Sequence, residues 1–137
     1  MPSIVVLDDD PIVLELLRTV LDEAGYLSVS GTHLDDVPAD AHADLVISDL
    51  VPLQAYSRES ALAWIASLRE RFGPAPIIVV TAHIAALRER DGLGADGILG
   101  KPFDVEELLV KVAGLLGAEK QTHFPGVGGP RPPTVTS

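Results

Sequence analysis

The sequence predicts an α/β fold: a doubly wound, five-stranded parallel sheet with helices on both faces. Strand-like and helix-like segments alternate along the 137 residues, a pattern typical of parallel sheets joined by right-handed crossovers. The strand-like runs are short and continuously apolar, as expected for strands that are buried on both sides. With 47% hydrophobic residues, the chain has enough apolar material for one packed core.

The elements follow in chain order. The predicted strands are 4–7, the weaker 27–32, 45–47, 77–80 and the weaker 98–99. Apolar residues with helical spacing predict helices that begin near Ile12 and over 61–72, 84–90 and 105–116, with Trp64 on a core-facing side. Asp10 and Asp104 are suited to cap the first and last of these helices. Because Pro38 interrupts segment 34–39, only a short helix is expected there.

Composition limits the classes of partner. Ten Lys and Arg against twenty Asp and Glu give a net charge of −10, which disfavours nucleic acid and anionic membranes and favours cations and basic protein faces. The chain has no Cys, so disulfides and thiolate chemistry are excluded. No apolar run approaches the roughly 18 residues of a membrane span. We therefore expect a cytoplasmic protein that binds neither nucleic acid nor membrane.

The composition changes after Gly117. Residues 118–137 are rich in Pro and Gly and poor in large apolar groups, which is typical of a flexible tail. The prediction is a single domain over 1–117 followed by this tail. Because the chain stops at Ser137, we expect a stand-alone domain without a DNA-binding output domain.

Charged and hydroxyl side chains follow the predicted strands. Asp8 and Asp9 follow the first strand, Asp49 follows the third, and Thr81 and Lys101 close the fourth and fifth. Function in such a sheet sits at the carboxyl ends of its strands. In a sheet ordered two-one-three, the three carboxylates converge and repel one another. A raised pKa, the Lys101 ammonium or a divalent cation could compensate, and an all-oxygen site suits Mg²⁺.

Each of these residues also has an ordinary structural explanation. Asp49 alone could be a turn acid before Pro52, Thr81 a strand-end hydroxyl, and Lys101 a solvated loop lysine. The four histidines, at 33, 42, 83 and 123, show no ligand spacing. His83 follows Thr81 closely enough that its imidazole could contact the site. It is the joint placement of acids, hydroxyl and amine at four strand ends that favours a functional site.

Several motifs together resemble the receiver domain of response regulators in two-component signalling, over about residues 2–117. The motifs are Val5-Val6-Leu7-Asp8-Asp9-Asp10, Asp49, Thr81-Ala82, Gly94-Ala95-Asp96-Gly97 and Lys101-Pro102-Phe103-Asp104. The resemblance implies a CheY-like, flavodoxin-like strand order 2-1-3-4-5. It also implies a bacterial signalling module that catalyses only its own phosphorylation and slow dephosphorylation.

The resemblance implies a role for each site residue. Asp49 would accept a phosphoryl group from a histidine kinase or a histidine phosphotransfer protein. Asp9 would bind Mg²⁺ directly and Asp8 through water, while Asp49 and the backbone carbonyl of Val51 would complete the protein ligands. Thr81 and Lys101 would hold the phosphoryl oxygens. Metal and ammonium neutralise the charge that develops on a transferring phosphoryl group, so the chemistry agrees with these roles.

Two positions depart from the pattern of the family. Pro52 lies three positions after Asp49 rather than four, and residues 53–59 contain no Gly, so we expect a reshaped loop after Asp49. At the switch position paired with Thr81, the family usually has Tyr or Phe, whereas this chain has Ile98. An aliphatic side chain cannot swing a ring between buried and exposed positions.

The resulting prediction is a receiver whose output is a protein–protein interaction with an unknown effector, as a monomer or weak homodimer. One alternative is a degenerate receiver that binds its partner without phosphorylation. Another is a Mg²⁺-dependent phosphohydrolase similar to haloacid dehalogenases, with Asp8 as the nucleophile. The missing acidic pair after Lys101 and the short chain disfavour the hydrolase.

Overall fold

Five parallel strands form one sheet in the order β2-β1-β3-β4-β5, which confirms the predicted fold class. In the computed structural model, which describes residues 2–50, 57–89 and 91–122, the strands are β1 (Ser3–Leu7), β2 (Leu27–Gly31), β3 (Leu45–Ser48), β4 (Ile77–Thr81) and β5 (Gly97–Gly100). β1 pairs with β2 on one side and β3 on the other. β2, which follows the first crossover, therefore lies at one edge of the sheet. The later strands are added on the other side of β1, beginning with β3.

Among the described residues, α1 (Pro11–Glu23), α2 (Arg58–Phe72) and α3 (Ile84–Arg88) lie between consecutive strands, and α4 (Val105–Thr122) follows β5. Between β2 and β3 the expected short helix is a 3₁₀ turn, Leu34–Asp36. α4 continues to Thr122, past the predicted end of the domain at Gly117, and the remainder of the predicted tail lies outside the described residues. Within the described ranges, no helix has the length and apolar character needed to cross a lipid bilayer.

Alternate residues of β1 serve different halves of the core. Ile4 and Val6 pack with residues of α1 and α4 on one face of the sheet. Val5 and Leu7 pack with residues of α2 on the other face. Because both faces are covered, the strands read as continuous apolar runs rather than alternating ones.

The predicted caps are confirmed. Asp10 Oδ1 accepts a hydrogen bond from Ile12 N at 2.9 Å, and Asp104 Oδ1 accepts from the backbone N–H groups of Glu106 and Glu107 at 2.8 and 3.2 Å. Each cap satisfies amides that the first helical turn leaves unpaired. The first cap starts α1 immediately after the acidic end of β1, which leaves Asp8 and Asp9 at the carboxyl edge of the sheet.

Candidate functional site

The carboxyl ends of β1 and β3 bring three carboxylates together, as the strand ends predict. Leu7 pairs with Ser48 in the sheet, so Asp8 and Asp49 are the first residues after two neighbouring strands. Asp8, Asp9 and Asp49 each offer an oxygen, and these oxygens lie within 4.8 Å of one another. At such distances three negative charges repel one another strongly unless a positive charge or a bound proton compensates them.

Asp8 is the most buried member of this cluster, with 1% of its surface exposed. Its Oδ1 accepts from Asp10 N at 2.9 Å, and its Oδ2 accepts from the Lys101 ammonium at 2.8 Å. Burial raises the pKa of the Asp8 carboxyl, and this outweighs the opposing hydrogen bonds from Lys101 and Asp10.

Asp49 is held at both its backbone and its side chain. Its N–H donates to Leu7 O at 2.8 Å. Its Oδ1 accepts from Leu50 N at 2.7 Å, and its Oδ2 accepts from Lys101 Nζ at 3.1 Å. The Asp49 side chain is 15% exposed. Two neighbours therefore orient the carboxylate, a third holds the backbone, and the side chain still reaches the surface.

Lys101 connects the far edge of the sheet to this cluster. Its backbone N–H donates to Thr81 O at 2.9 Å, and its ammonium pairs with both Asp8 and Asp49. Burial would lower the pKa of Lys101, but the hydrogen bonds to the two carboxylates outweigh it and raise the pKa. Two of the three compensations expected from the sequence, a raised carboxyl pKa and the Lys101 ammonium, are thus present.

Thr81 ends β4 and is fully buried. Its Oγ accepts a hydrogen bond from His83 N at 3.0 Å, which fixes the turn that leads into α3. The backbone of His83 therefore contacts the Thr81 side chain, whereas contact of its imidazole with the site stays a prediction. His33 and His42 lie beside Asp36 and Asp44, which are not members of the cluster, and His123 is outside the described residues.

The donor set fits a hard divalent cation. Asp8, Asp9 and Asp49 offer only oxygen, and three carboxylates facing one ammonium leave negative charge that a divalent cation can neutralise. Asp9 is exposed at this cluster whereas Asp8 is buried, so a cation would enter from the side of Asp9. Val51, whose carbonyl was expected as a ligand, lies outside the described residues.

The sequence did not identify two residues that contact Asp49, Ser48 and Trp64, as part of the site. The Trp64 indole N–H donates to Ser48 Oγ at 3.0 Å and to Asp49 O at 3.2 Å. Trp64 does pack against the core as predicted, but its polar edge points to the end of β3. The available signal was Ser48, a polar residue at the end of an apolar strand, because a half-buried indole N–H usually finds an acceptor.

Comparison with known proteins decides the family. The family model described as the response regulator receiver domain matches residues 4–113. The chain belongs to this family. As a receiver domain, it is a signalling module of two-component systems, and the phosphohydrolase alternative is left without support.

Curated relatives of this receiver domain are longer proteins. The chain is 37% identical over 129 residues to the transcriptional regulatory protein GltR of Pseudomonas aeruginosa, covering 90% of this chain and 52% of the relative. It is 33% identical to the DNA-binding dual master transcriptional regulator RpaA of Synechocystis, covering 85% and 49% respectively. The chain thus spans about half the length of these relatives. Since one of them is named as DNA-binding, the expectation that nucleic acid plays no part is not supported.

A solved structure shares the architecture of the receiver domain. A response regulator from Burkholderia pseudomallei, solved with a phosphorylated aspartic acid, a calcium ion and citrate, is 26% identical with a TM-score of 0.66. The match covers 95% of this chain and 76% of that one. Receiver domains interact with kinases or other phosphodonors and bind Mg²⁺ through acidic residues, and the Asp8, Asp9 and Asp49 cluster provides such acidic residues.

Proposed function

We propose that this receiver domain accepts a phosphoryl group from a phosphohistidine donor onto Asp49, in a Mg²⁺-dependent reaction. The observation that carries the proposal is the position of the Asp49 carboxylate. It is 15% exposed, lies 3.1 Å from the Lys101 ammonium and shares a cluster with Asp8 and Asp9. A solved relative whose structure contains a phosphorylated aspartic acid and a calcium ion supports the assignment.

In the proposed step an Asp49 carboxylate oxygen forms a bond to phosphorus while the bond from phosphorus to the donor atom breaks. The electron pair of that bond leaves with the donor, which is imidazole in a protein donor and acetate in acetyl phosphate. Hydrogen bonds from Leu50 N and Lys101 Nζ orient the two Asp49 oxygens before attack. Alignment of nucleophile and phosphorus is a major part of catalysis in such transfers.

The remaining groups balance the charge of the product. Asp8, Asp9 and Asp49 would hold the metal ion. When bound, its positive charge would neutralise part of the negative charge of the phosphoryl oxygens. Lys101 would shift its hydrogen bonds toward a phosphoryl oxygen, which brings more negative charge than a carboxylate. The Thr81 hydroxyl would donate a hydrogen bond to another phosphoryl oxygen. Its oxygen would still accept the hydrogen bond from His83 N. These changes at two strand ends would alter the surface that effectors read, which is the proposed output.

Intact-mass analysis tests the proposal. Wild-type protein incubated with acetyl phosphate and Mg²⁺ should gain the mass of one phosphoryl group. The gain should disappear in Asp49→Ala and in wild type treated with a metal chelator. Asp40→Asn, which changes an exposed acid outside the site, is the matched control and should be phosphorylated normally.

Other outcomes would replace the proposal. A mass gain that survives in Asp49→Ala but disappears in Asp8→Ala would make Asp8 the nucleophile. A wild type that gains no mass with either acetyl phosphate or a phosphorylated histidine phosphotransfer protein would favour the degenerate receiver, a module that binds partners without phosphorylation.

A further inference from the structure

Two side chains hold the main-chain carbonyl of Asp49. Ser48 Oγ donates to this oxygen at 2.5 Å, and the Trp64 indole N–H donates to it at 3.2 Å. The same indole N–H also donates to Ser48 Oγ at 3.0 Å. The three groups form a closed set of hydrogen bonds, which we call the carbonyl clamp.

The clamp lies where the sheet no longer fixes the chain. β3 ends at Ser48, so Asp49 is the first residue beyond the strand. Its N–H is still held by Leu7 O at 2.8 Å, and the clamp holds its carbonyl. With both ends of the residue fixed, the direction of its Cα–Cβ bond is fixed as well.

Burial makes the clamp difficult to replace with water. Ser48 has none of its surface exposed, and Trp64 packs against the core cluster that contains Ala61, Ile65 and Leu68. Buried polar groups that lose a partner have a substantial desolvation cost. The Asp49 carbonyl therefore keeps its orientation as long as the indole N–H is present.

We propose that Trp64 and Ser48 are positioning residues for phosphoryl transfer, acting on Asp49 through its main-chain carbonyl. This inference rests on the proposed function of Asp49. A rotation of the Asp49 peptide would move its carboxylate relative to Lys101, Asp8 and Asp9, and transfer to a carboxylate depends on alignment with phosphorus. Neither residue touches the phosphoryl group in this role.

Trp64→Phe tests the indole N–H because it keeps an aromatic ring and removes the donor, together with part of the ring volume. Phosphorylation by acetyl phosphate in Mg²⁺ should slow about 2- to 10-fold, the range expected for one neutral hydrogen bond. The loss should fall on the maximal rate rather than on the donor concentration for half-maximal rate, since the clamp orients the nucleophile and not the donor.

The matched control is Ile65→Val, the neighbouring buried residue of α2. It removes one methylene from the same core and reports what a general loss of packing does to the rate. Equal rates for Trp64→Phe and Ile65→Val would overturn the positioning role. Ser48→Ala and the double variant complete a cycle, in which non-additive rate losses are expected because both donors act on one carbonyl.

The wild-type protein gives a second test, because Trp64 is the only tryptophan in the chain. Its fluorescence emission should change when intact mass shows phosphorylation, and it should not change in Asp49→Ala given the same treatment. Unchanged emission from phosphorylated wild type would overturn the inference even if Trp64→Phe failed to fold. If wild type gains no phosphoryl group, the proposed function fails first, and the mass measurement alone shows it.

Discussion

Lys101 Nζ lies 2.8 Å from Asp8 Oδ2, although the two residues are 93 positions apart in the chain. They follow β5 and β1, which are separated in the sheet by β3 and β4. The lysine side chain thus reaches from the edge strand across two neighbours to a carboxylate that is 1% exposed. This pair connects the last strand to the first across the candidate site.

Replacing Lys101 with Ala should destabilise the metal-free protein. The change leaves Asp8 buried without its ammonium, and breaking a buried pair from one side costs roughly 3–5 kcal/mol. Because the Lys101 side chain is 19% exposed, we expect about 3 kcal/mol. Urea unfolding in the presence of a chelator measures the difference, and Lys111→Ala on α4 is the matched lysine control.

The double variant Lys101→Ala/Asp8→Asn separates the ion pair from general packing. Removing the unpaired charge should recover part of the stability, so the two changes should be strongly non-additive. Additive losses would show that the Lys101 stem, rather than its charge, stabilises the fold.

Mg²⁺ should stabilise the wild-type protein against unfolding. A ligand at a hundred times its dissociation constant adds about 2.7 kcal/mol if it binds only the folded state. Asp9→Asn should lose most of this gain while leaving the metal-free protein folded, since Asp9 is exposed. Thermal unfolding with and without Mg²⁺ measures both, with Asp40→Asn as the charge-matched control. An equal gain in Asp9→Asn would place the cation elsewhere.

Strand ends explain why much of the site could be predicted from the sequence. Apolar runs locate the strands, and the residues that follow neighbouring parallel strands must meet at one edge. Asp8, Asp9 and Asp49 could therefore be placed together, and Lys101 could be named as a compensating charge. The roles of phosphoacceptor and metal ligand came from the resemblance to the family and not from this geometry.

The rest depended on tertiary orientation. Helical spacing placed Trp64 on a core-facing side, but only the angle of α2 on the sheet directs its indole N–H to Ser48 and Asp49. The 3₁₀ turn between β2 and β3 and the end of α4 at Thr122 are local outcomes that weak patterns do not decide. Ile98 is 7% exposed in the core, and its place in a switch stays a prediction.

Acid should weaken the contact between Asp44 and Ser3. Ser3 N donates to Asp44 Oδ2 at 2.7 Å, and His42 Nε2 lies 3.0 Å from Asp44 Oδ1. Burial alone would raise the pKa of Asp44, but these hydrogen bonds hold it below the ordinary value of 3.8. A lowered folded-state pKa means that the stabilisation is present above 3.8 and disappears as pH falls through the folded-state pKa.

Asp44→Asn should therefore lower the free energy of unfolding at pH 7 and have less effect in acid. We expect no more than about 1 kcal/mol, because a partly exposed carboxylate is screened by solvent. Urea unfolding of both proteins from pH 7 to pH 2.5 (roughly the range in which carboxyl groups titrate) measures the trend. A difference that grows as the pH falls would contradict the assignment.

Arg58 should control the mobility of the segment after α3. Its guanidinium donates to Glu89 O at 2.6 Å and to Asp91 O at 2.7 Å. It also lies against Gly92, where φ is +83° and an added Cβ would come within 2.9 Å of Arg58 Nη2. Because Arg58 is the first residue of α2, it ties the segment before β5 to the start of that helix.

Arg58→Ala should raise amide hydrogen exchange in residues 92–96 by about fivefold, which corresponds to roughly 1 kcal/mol for donors that are partly exposed. Exchange in β3 should stay unchanged, because its amides open only when the core opens. Arg18→Ala, which removes an exposed arginine paired with Glu15 on α1, is the matched control. If exchange rises equally in β3 and in residues 92–96, Arg58 supports global stability instead, and the local tie is refuted. If only residues 92–96 respond, the guanidinium is what holds this segment against the start of α2.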